Sequence, residues 1–172
     1  MLDTILDSPL SPWLQHDIDA TDHIVISSRI RLARNFDGVL FTNRNDMSSL
    51  EKVNYFSRSL LKPLKDVDGH QYSNINLEQL SERDRAILVE KHLMSPALEE
   101  KLPYRNLVVS DDASIVIMVN EEDHLRIQSM VSGLRLEVAY ERVLKIDKAI
   151  EAKYPYAFDE RFGYLTAFPT KV

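Results

Sequence analysis

No cysteine occurs in the 172 residues, which removes disulfides and thiolate metal sites together and leaves oxygen or imidazole to hold any metal. Glycine is nearly as scarce, at four. The chain has no P-loop, no G-x-G-x-x-G, no H-E-x-x-H and no nucleophile elbow. Any nucleotide bound here must therefore have its phosphates held by arginine side chains rather than by a glycine-rich loop. No apolar run approaches the roughly 20 residues that cross a bilayer, and the opening MLDTILDSPLSPW lacks the basic flank and cleavage site of a signal peptide. A cytoplasmic location without a membrane partner is the expectation. Nor is there a basic surplus: the formal net charge of -6 argues against nucleic-acid backbone binding but leaves room for local basic clusters that take a small polyphosphate.

What the chain does have is 44% apolar and 28% charged residues, the balance of one globular domain with a real core. Residues 23–35 read as a strand in which Arg29 and Arg31 share one face and Ile30 and Leu32 the other. Met47, Leu50, Val53, Leu60 and Leu61 recur at helical spacing until Pro63, which is expected to end the pattern. KDVDGHQYSN then reads as a polar loop. Ser81 with Asp84 opens a second helix that should stop before Ser95-Pro96. Residues 107–119 look like two strands joined at Asp111-Asp112, and residues 125–131 like a third. Leu136, Ala139, Val143, Ile146 and Ile150 give the strongest helical spacing, ending near Pro155. The tail FGYLTAFPTKV reads as one more strand with an apolar edge, which would favour self-association.

The densest candidate chemistry is NEEDH at 120–124, directly after the unbroken apolar run 115–119. A run buried on both faces belongs to a central strand, so these charges stand at a strand end rather than on a peripheral loop. One carboxylate there could take a proton from a cationic nitrogen nucleophile while its neighbour holds Mg2+ through water. Arg29 and Arg31, about 6.5–7 Å apart on one strand face, suit successive phosphates, although an exposed basic strand face would look the same. Arg126 is either a phosphate ligand or the salt-bridge partner of the acids beside it. His92 stands near a helix end, and His124 is suited to orienting neighbours rather than binding metal. His16, His23 and His70 fall in no ligand pattern.

With SSRIRLARN at 27–35, NEEDHLRIQSM at 120–130 and GYLTAFPT at 163–170 in that order, the sequence resembles the phosphagen (guanidino) kinases. LVEKHLMSP at 88–96 and the short stretch before the first arginine strand bring it nearest the bacterial branch that acts on protein arginines. The resemblance implies an α+β fold, an antiparallel sheet with packed helices. Residues 1–172 would form the N-terminal part of the catalytic domain, with a mainly helical insertion at about 46–100. The implied function is ATP-dependent phosphorylation of arginine side chains in proteins. Glu122 would be the base, with Glu121 at a Mg2+-bound water, and Ser27, Ser28, Arg29, Ile30, Arg31, His92 and Arg126 would bind ATP. Implied partners are arginine-bearing protein substrates such as a stress-response repressor, an activator protein and a Clp-type unfoldase, and the expected assembly is a homo-oligomer.

Two departures stand out. Phe168 occupies the place where the family usually has a cysteine. The chain also stops at Val172, ahead of the family's later arginine strands, glycine-containing nucleotide loop and second substrate-facing carboxylate, so this segment alone is expected to be inert. The rival reading is a catalytically dead nucleotide- or protein-binding domain of the same descent, and a small-metabolite guanidino kinase comes third.

Overall fold

The computed structural model describes residues 2–14 and 24–168. His16 and His23, the first residue of the expected strand and the end of the tail all lie outside the described residues. Five antiparallel strands form the centre, in the order β1 (Ser27–Arg34), β5 (Leu125–Ser132), β4 (Ile115–Val119), β3 (Asn106–Ser110) and β2 (Tyr72–Asn76). Helices α1 (Leu2–Asp7), α2 (Met47–Ser59), α3 (Leu61–Asp68), α4 (Glu82–Glu90) and α5 (Leu136–Lys153) pack on the sheet, giving the expected α+β class. None of the helices is long and apolar enough to cross a membrane.

Strands β3 and β4 are buried at every position, which is why their sequences run apolar without alternation. Ile115, Ile117, Val119, Leu125 and Ile127 turn to one face, where Val53, Leu60, Leu64, Val143, Ile146 and Ile150 of α2, α3 and α5 cover them. Val109, Val116, Met118 and Met130 turn to the other, against Ile5, Trp13, Leu88, Leu93 and Leu98. Each fully buried aliphatic side chain contributes about 1.5–3 kcal/mol, so a helix layer on each face is what the bare sheet requires.

Three local readings change. Pro63 does not end the helical stretch: α2 closes at Leu60, and Pro63 falls in the first turn of α3, where its missing N–H would be unbonded anyway. Helix α3 ends at Gly69, whose φ of 81° lets its N–H reach back to the Lys65 carbonyl. The expected polar loop at 65–74 is therefore the end of α3 followed by the edge strand β2, so the mainly helical stretch at 46–100 also supplies a strand. Among the described residues the tail adds no strand to the main sheet. Phe158–Asp159 (β6) and Gly163–Tyr164 (β7) pair only with each other, and the sheet edges are β1 and β2.

Elsewhere the local signals hold. Ser81 accepts from the Asp84 N–H and donates to its carboxylate, capping α4. Asp112 accepts from Ser110 Oγ and from the Ser114 N–H in the β3–β4 turn. In α5, Ala139, Val143, Ile146 and Ile150 are buried as spaced, while Leu136 is exposed at the helix start. Arg34 pairs with the buried Asp147 of α5 at 2.8 Å and lies 3.9 Å from the Tyr164 ring centroid, pinning the β6–β7 hairpin to the helix.

Candidate active site

Register brings the arginines together. In the β1–β5 ladder Arg29 faces Met130, Arg31 faces Gln128 and Ala33 faces Arg126. Cross-strand partners share a face, so Arg29, Arg31 and Arg126 project from the same side of the sheet, with Arg126 diagonal to Arg31. Arg31, Ala33 and Arg126 line an open cleft of about 200 Å³. Burial, together with Arg29 and Arg126 and against the opposing pull of Glu121, holds the Arg31 guanidinium below its usual value. Gathered positive charge of this kind is what a polyphosphate would relieve.

The NEEDH segment is the β4–β5 turn, closed by the Asn120 N–H on the His124 carbonyl at 3.0 Å. Asn120 takes the left-handed conformation (φ 57°) that asparagine tolerates, and its amide holds the Leu50 and Tyr104 carbonyls at 2.9 Å each. Glu121 and Glu122 then differ sharply. The Glu121 carboxylate is 2% exposed, and Glu122 is 41% exposed. Arg126 Nη1 donates to Glu121 Oε1 at 2.9 Å, and Nε lies 2.8 Å from Oε2 as a charge contact without hydrogen-bond alignment. Arg126 Nη2 reaches Glu122 at 3.2 Å. Arg126 is thus the partner of the acids, and it also lines the cleft.

Several other candidates serve the frame. Ser28 is buried, donates to the Gly133 carbonyl at 2.7 Å and accepts from the Arg135 N–H at 2.8 Å, tying β1 to the start of α5. Ile30 packs on the helix-covered core face, opposite Arg29 and Arg31. Ser27 and His92 border a groove beside α1 and α4. His92, left-handed at the end of α4 (φ 60°), offers its carbonyl to Gln128 Nε2 at 2.7 Å, which places it beside Arg31's cross-strand partner.

Four residues that sequence reasoning passed over hold the turn and the strand beside it in place. Ser95 donates to Glu121, and Arg105 Nε donates to the Asn120 carbonyl at 3.1 Å. Gln128 is the link to His92 just described, and Asn35 bonds both Asp123 and the His124 N–H. Only SP at 95–96 and the N closing SSRIRLARN hinted at two of them, and both resemble ordinary cap or loop residues. His70 also has partners: Asp111 at 2.7 Å and Asp112 at 3.7 Å, at the opposite end of β4 from the NEEDH turn.

His124 is fully buried and orients the chain: Nδ1 accepts the Phe36 N–H at 3.0 Å, and Nε2 lies 2.8 Å from the Leu40 carbonyl, so Nε2 carries the proton. Burial, only partly offset by the Leu40 carbonyl and Asp123, lowers its pKa. His70 goes the other way, because Asp111, Asp112 and Asp68 together outweigh the lowering by burial. A histidine with a depressed folded pKa contributes stability above its unfolded value of about 6.5 and loses it as pH falls. A raised one contributes below that value and loses it as pH rises. His70→Asn should therefore make the drop in melting temperature between pH 7.5 and 5.5 steeper than in the parent, and His124→Gln should make it shallower. Equal calorimetric slopes in all three would contradict the buried neutral imidazole.

Comparison with known proteins accords with this geometry. Residues 52–172 match the ATP:guanido phosphotransferase family, in its C-terminal catalytic domain. The chain is 42% identical over 166 residues to a protein-arginine kinase of Syntrophomonas wolfei, covering 93% of this chain and 45% of that protein. It is 39% identical over 171 residues to one of Halothermothrix orenii, covering 99% and 48%. The chain thus spans about half the length of the curated relatives it matches. Among solved structures, the duplicated taurocyamine kinase from Schistosoma mansoni with bound transition state analog components superposes with a TM-score of 0.72 at 28% identity, over 95% of this chain and 24% of that one. Lombricine kinase, 22% identical over 95% of this chain and 48% of its own, shares the fold with a TM-score of 0.70. The chain belongs to the ATP:guanido phosphotransferase family.

Proposed function

We propose that the protein carrying this chain transfers the γ-phosphoryl group of ATP to arginine side chains of proteins. The observation that carries the reading is the register that sets three arginines on one sheet face beside two carboxylates of contrasting exposure. Arg29, Arg31 and Arg126 neutralise and align the phosphates, since phosphoryl transfer depends mainly on positioning and charge stabilisation. Glu122, open to solvent, meets the acceptor guanidinium, which is protonated at physiological pH and attacks only once a positioned base takes a proton from it. Glu121, buried and gripped by Arg126 and Ser95, orients this array.

Magnesium fits the donor set, which offers carboxylate oxygens and no thiol, and the buried Glu121 Oε2 lacks an aligned hydrogen bond. Glu121 would hold the ion through a water, and the ion would supply charge neutralisation on the phosphates. The relatives' name, protein-arginine kinase, supports an acceptor arginine carried on a protein.

The test incubates the natural full-length protein with Mg-ATP and an arginine-rich protein, with free arginine as comparison, and looks by mass spectrometry for acid-labile phosphoarginine. Modification of the protein substrate supports the reading; phosphorylation of free arginine alone would replace it with a metabolite kinase, and no transfer to either would support a non-catalytic domain. Arg29→Ala and Arg31→Ala should each weaken ATP binding by about 1.5–3 kcal/mol, the worth of a hydrogen bond to a charged group. Calorimetry showing unchanged affinity in both would return the pair to an exposed basic strand face.

A further inference from the structure

Asn35 lies beyond the end of β1, 1% exposed, with every polar side-chain atom engaged. Its amide nitrogen donates to Asp123 Oδ1 at 2.7 Å and to the Leu165 carbonyl at 3.0 Å. Its amide oxygen accepts the His124 N–H at 2.9 Å, and its own carbonyl accepts the Ala157 N–H at 2.8 Å. Asp123, equally buried, also accepts the Ala167 N–H at 2.6 Å. One residue therefore joins the arginine strand and the carboxylate turn to Ala157 and Leu165.

The turn is held at two ends. Arg126 grips Glu121 and touches Glu122 on one side; Asn35 and the Ala167 amide grip Asp123 on the other. Glu122 is the residue between the two grips, and its carboxylate is the partly open one. A buried amide whose bonds are all made has one low-energy pose, so it passes a fixed geometry to whatever it holds.

Resting on the phosphotransferase reading above, we propose that Asn35 is a positioning residue for the transfer step: through Asp123 it sets the place of Glu122 and docks segment 165–167 beside it. Its hydrogen bonds go to Asp123, Leu165, His124 and Ala157 and not to Arg29, Arg31 or Arg126, so its influence falls on turnover rather than on ATP affinity. Only an amide supplies both the donor for Asp123 and the acceptor for the His124 N–H. An aspartate at 35 keeps the shape and the acceptor but sets two carboxylates against each other.

The decisive series, made in the natural full-length protein, is Asn35→Asp, Asn35→Ala and the parent. Asn35→Ala removes the donor to Asp123 and Leu165 without setting a second carboxylate against Asp123. Two readouts are taken: hydrogen exchange at the Ala167 amide, and kcat and KM for ATP in phosphoarginine formation. In Asn35→Asp the Ala167 amide should lose protection while β3 and β4 amides keep theirs. The kcat should fall ~10–100-fold, as small misplacements of catalytic groups do, with KM for ATP within about twofold. Asn35→Ala should show the same pattern with a smaller loss, since it adds no repulsion.

Unchanged Ala167 protection, or a loss shared equally with KM for ATP, would overturn the proposal. Should Asn35→Asp fail to fold, Asn35→Ala, which adds no charge, is judged by the same readouts. A parent protein that makes no phosphoarginine counts against the functional reading instead, and the exchange measurement still judges the link from Asn35 to Ala167.

Discussion

Replacing Glu122 by glutamine is expected to lower the rate of phosphoryl transfer to arginine by about 10²–10⁴-fold, the usual worth of a positioned base, while leaving ATP affinity and melting temperature near those of the parent. Glutamine keeps the length of the side chain and an oxygen to accept from Arg126 Nη2, so the contact at 3.2 Å has a replacement. It cannot take the proton that makes a guanidinium nucleophilic. Because Glu122 is the more open of the two carboxylates, the change leaves no buried charge behind and the kinetic effect stands apart from stability. Single-turnover measurement of phosphoarginine is the check. A folded variant that turns over within about threefold of the parent would move the base elsewhere.

Arg126→Ala should act on stability as much as on function. Removing Arg126 takes away the ionic contacts at 2.8 and 2.9 Å from a Glu121 side chain that is 2% exposed, leaving Ser95 as its named donor. Breaking a buried pair from one side costs about 3–5 kcal/mol. For a domain of this size that lowers the melting temperature by roughly 10 °C. Adding Glu121→Gln removes the stranded charge, so the double variant should melt above Arg126→Ala alone. A double-mutant cycle with strictly additive effects, within about 0.5 kcal/mol, would show that the two side chains do not hold each other.

The placement of NEEDH was legible because five consecutive apolar residues, Ile115 to Val119, can hardly be anything but a strand covered on both faces, and charge at once after it has to be a strand end. Alternation in 27–34 likewise separates Arg29 and Arg31 from Ile30 and Leu32. What no local pattern carries is partnership. That Ala33 pairs with Arg126, and so sets Arg31 diagonal to it, follows from joining strands far apart in the chain. Strand β2 was hidden because Ser73, Asn74 and Asn76 lie on a sheet edge that tolerates polar residues, so its composition matches that of a loop. Asn35 and Ser95 were hidden for the opposite reason. Each is a polar residue at the end of an element, where capping is the ordinary use, and their bonds to Asp123 and Glu121 exist only after the chain has closed.

The strand order also sets when the site comes into being. Strands β3, β4 and β5 follow one another with short turns, so their pairing closes small loops and can form early. Strand β1 joins β5 only by closing a loop on the order of 100 residues, a slower and entropically costlier event. The carboxylate turn, with Arg126 beside it on its own hairpin, therefore waits for β1 to bring Arg29, Arg31 and the grip of Asn35. A nucleotide that touches both strands binds the closed form alone and adds its binding free energy to that last closure, in proportion to its concentration. In a cell, the supply of nucleotide would then set what fraction of chains has β1 undocked and open to proteolysis.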